Sequence, residues 1–146
     1  MISTGDIKNI LLRDVKANPA LGMIAEIEKD GHAPVTETSV AERIVIVLPG
    51  GMDNGPISRA FPRICVYVPD DKINRPKGSR YYKPGGKRLN QLENECIRAF
   101  RSGVYGTYGE EVYTYKLEDI VQESDPDTWS HFLNVRLRFE AVNTKL

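Results

Sequence analysis

Catalysis by a serine or cysteine nucleophile usually relies on a histidine, and the chain contains two, His32 and His131. Ser130 directly precedes His131, but neighbouring residues of a strand point to opposite faces of a sheet. These two side chains therefore do not readily form a nucleophile and base pair. His32 follows Gly31 in a predicted turn, where a solvated loop residue is expected. The spacing of the histidines thus predicts no catalytic site.

Cys65 and Cys96 are the only cysteines, and neither has a histidine nearby in the sequence. Two thiols this far apart match no metal motif and are too few for a disulfide framework. We expect both to be small buried residues of a protein from a reducing compartment. The chain also has two short acidic pairs, Asp70 with Asp71 and Asp125 with Asp127. They lack the interval and glycine of a calcium loop, which predicts turns and caps and no metal site.

The segment KPGGKR places two glycines before a predicted helix, as a phosphate-binding loop does. The phosphate-loop pattern fails at two positions, because Arg88 follows Gly86-Lys87 and Tyr81 occupies the place of the first glycine. A plain junction between a loop and a helix is the better interpretation, with weak anion binding at the helix start as the alternative. We predict no cofactor.

Charge is unevenly distributed along the chain although its net value is +0. Residues 72–88 contain seven basic residues and no acidic ones, whereas residues 110–127 contain seven acidic residues and one basic residue, Lys116. Opposite patches on one molecule predict a head-to-tail contact between copies, which closes into a ring where the rotation permits. Tyrosines beside both patches favour an interface. The predicted interface residues are Lys72, Arg75, Lys77, Arg80, Tyr81, Tyr82, Lys83, Lys87, Arg88, Glu110, Glu111, Glu118, Asp119, Arg136 and Arg138.

Other interpretations of these patches remain open. Both segments are also typical of solvated loops, in which case their charges have no partner. The basic segment with Tyr81 and Tyr82 is alternatively a nucleic-acid-binding loop, although overall neutrality argues mildly against it. A small enzyme with an unrecognised site is the third alternative.

The element that positions all these residues is the segment 129–142, read WSHFLNVRLRFEAV. From Leu133 to Ala141 apolar and polar residues alternate, which predicts a strand with one apolar face and one charged face. Arg136 and Arg138 lie on the charged face. Since an antiparallel sheet commonly leaves one face to water, we expect helices on the apolar side and a polar face open to water or a partner.

The first remaining element in chain order is a predicted helix over 4–17, capped by Thr4 or Asp6. Residues 21–28 form either a short strand or one more helical turn, and we favour the strand. Strands are predicted over 43–48 and 63–68, a helix over 86–102 and a strand over 112–121. Residues 49–62, 72–85 and 103–109 are predicted loops, and 123–127 a turn. This order indicates an α+β domain with a mostly antiparallel sheet of four to five strands and two main helices packed on one face.

A single domain over residues 1–146 is expected, because a chain of 146 residues that is 40% hydrophobic can bury one core. The N-terminal residues lack the apolar run of a signal peptide, and no segment has the run of about 18 apolar residues that a membrane span needs. We therefore expect a soluble protein.

The layout resembles that of the tail terminator and tail completion proteins of long-tailed bacteriophages. The likeness covers most of the chain and rests on an amphipathic N-terminal helix, the strands RIVIVL and RICVYVPDD, the helix RLNQLENECIRAF and the final HFLNVRLRFEA. It implies a structural subunit without enzymatic activity, which forms a ring, commonly a hexamer, and joins the tail tube to the head. Its expected partners are its own copies and other tail or connector proteins, in the host cytoplasm during assembly and then in the virion tail.

Overall fold

The computed structural model describes residues 1–31, 33–53, 55–74 and 80–142, of which 73, 74, 80 and 81 are described by their backbone alone. Helices α1 and α2 span Thr4–Ala17 and Gly86–Phe100. The strands β1 to β9 span Glu26–Lys29, Arg43–Val47, Ile57–Ala60, Arg63–Pro69, Asp71–Asn74, Arg80–Lys83, Val104–Tyr108, Glu111–Asp125 and Ser130–Val142. Arg75 and Lys77 of the predicted interface lie outside the described residues, as does His32.

Seven strands form one sheet in the order β1-β2-β4-β9-β8-β7, and β3 joins it by pairing with β9. Among the strand pairs of the described residues, β1 with β2 is the one parallel pair, and β5 and β6 make a separate two-stranded hairpin. The prediction of an α+β fold with a mostly antiparallel sheet is confirmed. The predicted number of four to five strands is too low, because the short strands β3 and β7 at the margins of the sheet lie in segments that were predicted as loops.

Strands β3 and β4 lie along β9 in one continuous register. Ala60 is opposite Phe139 and Arg63 is opposite Arg136, so the same offset holds on both sides of the interruption at Phe61-Pro62. The amide of Leu137 donates to the carbonyl of Pro62, and this hydrogen bond holds the Phe61-Pro62 segment against β9. Proline has no amide hydrogen to donate to a neighbouring strand, which accounts for the interruption at Phe61-Pro62.

The apolar face of β9 forms the floor of the core, as its alternation predicts. Phe139 is fully buried and stacks on Tyr113 and Tyr115 of β8 at centroid distances of 5.2 and 6.1 Å. Both helices cover this face, since their buried residues belong to the same apolar cluster. All five predicted inward residues of β9 are in that cluster: Leu133, Val135, Leu137, Phe139 and Ala141.

Helix α1 begins with a capping box. Ser3 is the N-cap, and its hydroxyl accepts from the amide of Asp6 while the Asp6 carboxylate accepts from the amide of Ser3. This arrangement satisfies two amides that a helix start leaves unpaired. Backbone hydrogen bonding to Ser3 is the largest cause that lowers the pKa of Asp6. The predicted caps Thr4 and Asp6 were thus misplaced by one to three residues.

Several segments that were predicted as loops contain strands. The glycine-rich segments 49–62 and 103–109 contain β3 and β7, and the segment 72–85 forms most of the β5–β6 hairpin. Glycine and proline weaken a strand locally, but a long neighbouring strand supplies a ladder that the sequence pattern does not reveal.

Two predicted strand boundaries were also wrong. The favoured strand over 21–28 starts only at Glu26, as β1, and the alternative of a helical turn is correct for Leu21–Met23. Strand β8 continues to Asp125 through the predicted acidic turn, and a short turn over Pro126–Thr128 leads into β9. A bulge between Leu117 and Asp119 reverses the alternation of β8, which explains why periodicity alone did not reveal its length.

Candidate assembly interface

The basic segment forms the β5–β6 hairpin and the start of α2, and part of its charge is neutralised within the subunit. The Arg88 guanidinium donates twice to the Glu42 carboxylate, from Nε to Oε2 at 2.7 Å and from Nη2 to Oε1 at 3.0 Å. These hydrogen bonds raise the pKa of Arg88. Lys72 Nζ lies 3.6 Å from Glu37 Oε1, and the Tyr82 hydroxyl donates to the same carboxylate. Hence the preceding loop supplies acidic partners to this segment within the subunit.

Acidic residues of the segment 110–127 are neutralised in the same way. On the charged face of the sheet, Arg136 Nε lies 2.9 Å from Asp119 Oδ1 and Arg138 Nε lies 3.4 Å from Glu118 Oε1. Glu111, which is buried, lies 3.3 Å from the N-terminal amine. The predicted contacts of Arg136 and Arg138 with another subunit would have to compete with these internal pairs.

Three exposed charges of the predicted interface have no ion pair with any residue that the structure describes: Lys83, Lys87 and Glu110. Lys83 ends β6 and Lys87 begins α2, whereas Glu110 lies in the turn between β7 and β8. Of Arg80 and Tyr81 only the backbone in β6 is described. The structure does not bring the basic and acidic sets together into one site.

An apolar hollow lies at the β7 side of the sheet, on the face opposite the helices. We define it by Ile57, Tyr105, Val112 and Val142, whose exposed fractions are 42%, 79%, 52% and 48%. Its volume is about 200 Å³. Four strands supply these side chains, so no single segment of sequence indicates the hollow. Exposed apolar residues that cluster in this way are typical of a protein interface.

The orientation of these side chains follows from the strand register. Tyr113 and Ala141 face the core as a cross-strand pair, so Val112 and Val142, one position away, face outward. Ile57 pairs with Val142, which places it on the same outer face. The alternation of apolar and polar residues in β8 and β9 indicated that Val112 and Val142 face outward. It did not indicate that these two side chains lie next to each other.

Strand β7 forms the edge beside the hollow. Among the described residues it pairs with β8 alone, so its outer amides and carbonyls have no strand partner. Gly106 lies over the Tyr113 ring, and a Cβ at this position would come within 2.4 Å of the Tyr113 hydroxyl oxygen. Glycine at position 106 therefore lets β7 pair closely with β8. The Tyr113 hydroxyl beneath it accepts a hydrogen bond of 2.8 Å from the Arg13 guanidinium of α1.

A second cavity, of about 280 Å³, contains His131 at the start of β9. His131 Nδ1 lies 2.6 Å from Asp70 Oδ1, and Ser124 is its cross-strand neighbour on β8. No hydrogen bond joins Ser124 to His131 in the described part of the chain, and Ser130 instead donates to the carbonyl of Thr128. The cavity thus contains a carboxylate next to an imidazole, Asp70 and His131. Among the described contacts, no serine hydroxyl is hydrogen-bonded to this imidazole.

Neither cysteine forms a disulfide, and both are buried. Burial raises the pKa of Cys65 to about 11 and that of Cys96 to about 12. Because the thiolate is the reactive form, these thiols are poor nucleophiles near neutral pH.

Within the described ranges, no three histidine, cysteine, aspartate or glutamate side chains are grouped to hold a metal ion. No helix in those ranges has the length and apolar character needed to cross a membrane. Comparison of the chain with models of known protein families and with curated proteins finds no match.

Proposed function

We propose that the chain is a structural subunit of a phage or prophage tail, similar to tail terminator or tail completion proteins, and that it has no enzymatic activity. It forms a ring through head-to-tail contacts between copies and joins other tail or connector proteins. It assembles in the host cytoplasm and remains in the virion tail. The observation that carries the proposal is the apolar hollow beside the unpaired edge of β7, and the layout of the elements supports the tail family.

An apolar contact between copies is energetically favoured over the charged contact that the sequence predicts. Exposed ion pairs contribute only about 0 to 1 kcal/mol, and several predicted charges already pair within the subunit. Removal of apolar surface from water contributes about 25 cal/mol per Å². Covering Tyr105 and Val112 is therefore expected to contribute more binding free energy than an ion pair between Lys83 and Glu110. An edge strand adds backbone hydrogen bonds to the same contact.

Sedimentation velocity over a range of protein concentrations tests the ring. The wild type is expected to form a defined oligomer, and Val112→Lys is expected to sediment as a monomer because it places a charge in the hollow. Gln122→Lys, an exposed position at the other end of β8, is the matched control and is expected to assemble normally. A wild type that stays monomeric at every concentration contradicts the proposal.

The genes beside this one provide a test of the tail assignment that does not depend on assembly in solution. Genes for capsid and tail proteins are expected as direct neighbours. A neighbourhood made up of genes for unrelated metabolic enzymes would contradict a role in a virion.

Nucleic-acid binding through the basic segment is the second candidate. It is favoured by Lys83 and Lys87, which are exposed and have no ion pair among the described residues. Fluorescence anisotropy with short single and double strands is the test, because phosphate contacts weaken steeply as salt rises. Binding at low salt that Lys83→Glu together with Lys87→Glu abolishes would support this candidate, and unchanged anisotropy at low salt would exclude it.

A further inference from the structure

Three strands lie at the margins of the sheet, β1, β3 and β7, and they differ in whether their outer backbone groups can pair with a further strand. Strand β3 is blocked, because the Arg59 amide donates to Asp53 Oδ1 at 2.8 Å and the Arg59 carbonyl accepts from the Asp53 amide at 3.2 Å. Among the described residues β7 pairs with β8 alone and β1 pairs with β2 alone. Two edges therefore remain for pairing with another strand, at opposite ends of the strand order.

Each of these two edges has exposed apolar surface next to it. The hollow of Ile57, Tyr105, Val112 and Val142 lies beside β7. Met23, which is 84% exposed, comes three residues before β1, whereas Ile24 after it is buried in the core. At about 3.3 Å per residue, Met23 lies within roughly 10 Å of the start of β1 along the chain. A long, unbranched methionine side chain suits a shallow and irregular apolar hollow.

We propose that the occupant of the β7 edge is the β1 edge of a second copy, with Met23 of that copy seated in the hollow. The inference rests on the proposed ring and names the two surfaces that build it. Pairing of β7 with a second β7 would leave β1 and Met23 in water. Pairing of β7 with β1 covers both surfaces on every subunit and repeats from copy to copy, as a ring requires.

Two variants separate this arrangement from a symmetric one. Val112→Lys disables the β7 surface and Met23→Lys disables the β1 surface. Each is expected to weaken self-association by at least about 30-fold, as for the loss of a strong interface residue. When the two are mixed, one intact surface of each remains, so the mixture is expected to form a 1:1 dimer that grows no further. Circular dichroism and thermal unfolding confirm that the variants are folded.

The possible outcomes distinguish this inference from the proposed function. A stable 1:1 dimer in the mixture, with each variant monomeric alone, supports the pairing of β1 with β7. If Met23→Lys assembles like the wild type, or if the mixture of folded variants stays monomeric, the pairing is overturned while a ring remains possible through other surfaces. A monomeric wild type overturns the ring and the pairing together.

Discussion

The guanidinium carbon of Arg43 lies 4.1 Å from the centre of the Tyr67 ring, on the face of the sheet opposite the helices. Arg43 is 1% exposed, and none of its three guanidinium nitrogens has a hydrogen-bond partner among the residues that the structure describes. Burial lowers its pKa. A desolvated charge costs several kcal/mol, whereas a desolvated cation over an aromatic ring recovers about 2 kcal/mol. Asp125 and Glu26 offset part of this penalty, and on these magnitudes we still expect the site to carry a net energetic cost.

Replacement of this charge by an apolar side chain is expected to stabilise the protein. Arg43→Met keeps most of the side-chain length and removes the unpaired charge, so the free energy of unfolding is expected to rise by about 1 to 3 kcal/mol. Arg43→Lys is the matched comparison and is expected to destabilise, because lysine lacks the planar group that stacks on Tyr67. Urea denaturation measures both. A loss of stability in Arg43→Met would show that an acceptor holds the guanidinium.

The aromatic stack on β8 and β9 is expected to dominate core stability. Phe139→Ala removes a fully buried ring that stacks on Tyr113 and Tyr115, and should cost about 3 to 5 kcal/mol. Phe61→Ala is the control, because Phe61 is 54% exposed and its loss should change stability by no more than about 0.5 kcal/mol. Equal effects in urea denaturation would mean that the stack is not the centre of the core.

Ionic strength separates an apolar contact from a charged one. Raising NaCl from about 0.1 M to about 1 M shortens the Debye length from about 10 Å to about 3 Å. An oligomer built on the hollow is expected to keep its sedimentation coefficient over this range, since apolar burial is not screened. Dissociation at high salt would instead support the predicted contact between residues 72–88 of one copy and 110–127 of another.

Alkaline pH is expected to destabilise the fold through Cys96. Burial raises the pKa of this thiol from 9.0 to about 12, so the folded state binds the proton more tightly than the unfolded state. The contribution of the protonated Cys96 thiol to the free energy of unfolding is complete below pH 9 and falls as the pH rises from 9 towards 12. At about pH 10 the loss is about 1.4 kcal/mol. In urea denaturation with reductant present, Cys96→Ala should show a shallower decline than the wild type. Parallel declines would argue against a buried, protonated thiol.

The sequence by itself determined the elements whose pattern is local. The alternation from Leu133 to Ala141 specified a strand and both of its faces, because side-chain direction in a strand has a period of two residues. The apolar spacing of Leu89, Leu92, Cys96 and Phe100 specified α2 and its buried stripe for the equivalent reason in a helix. Buried cysteines were also foreseeable, because free cysteine commonly packs as a small hydrophobe.

Only the tertiary structure decided which distant residues meet. Arg88 pairs with Glu42 and Arg136 with Asp119, so much of the charge that suggested contacts between copies is neutralised inside the subunit. The short strands β3 and β7 exist because the longer β9 and β8 offer them a ladder. The apolar hollow combines side chains from four strands, and their common location depends on register, which a one-dimensional pattern does not contain.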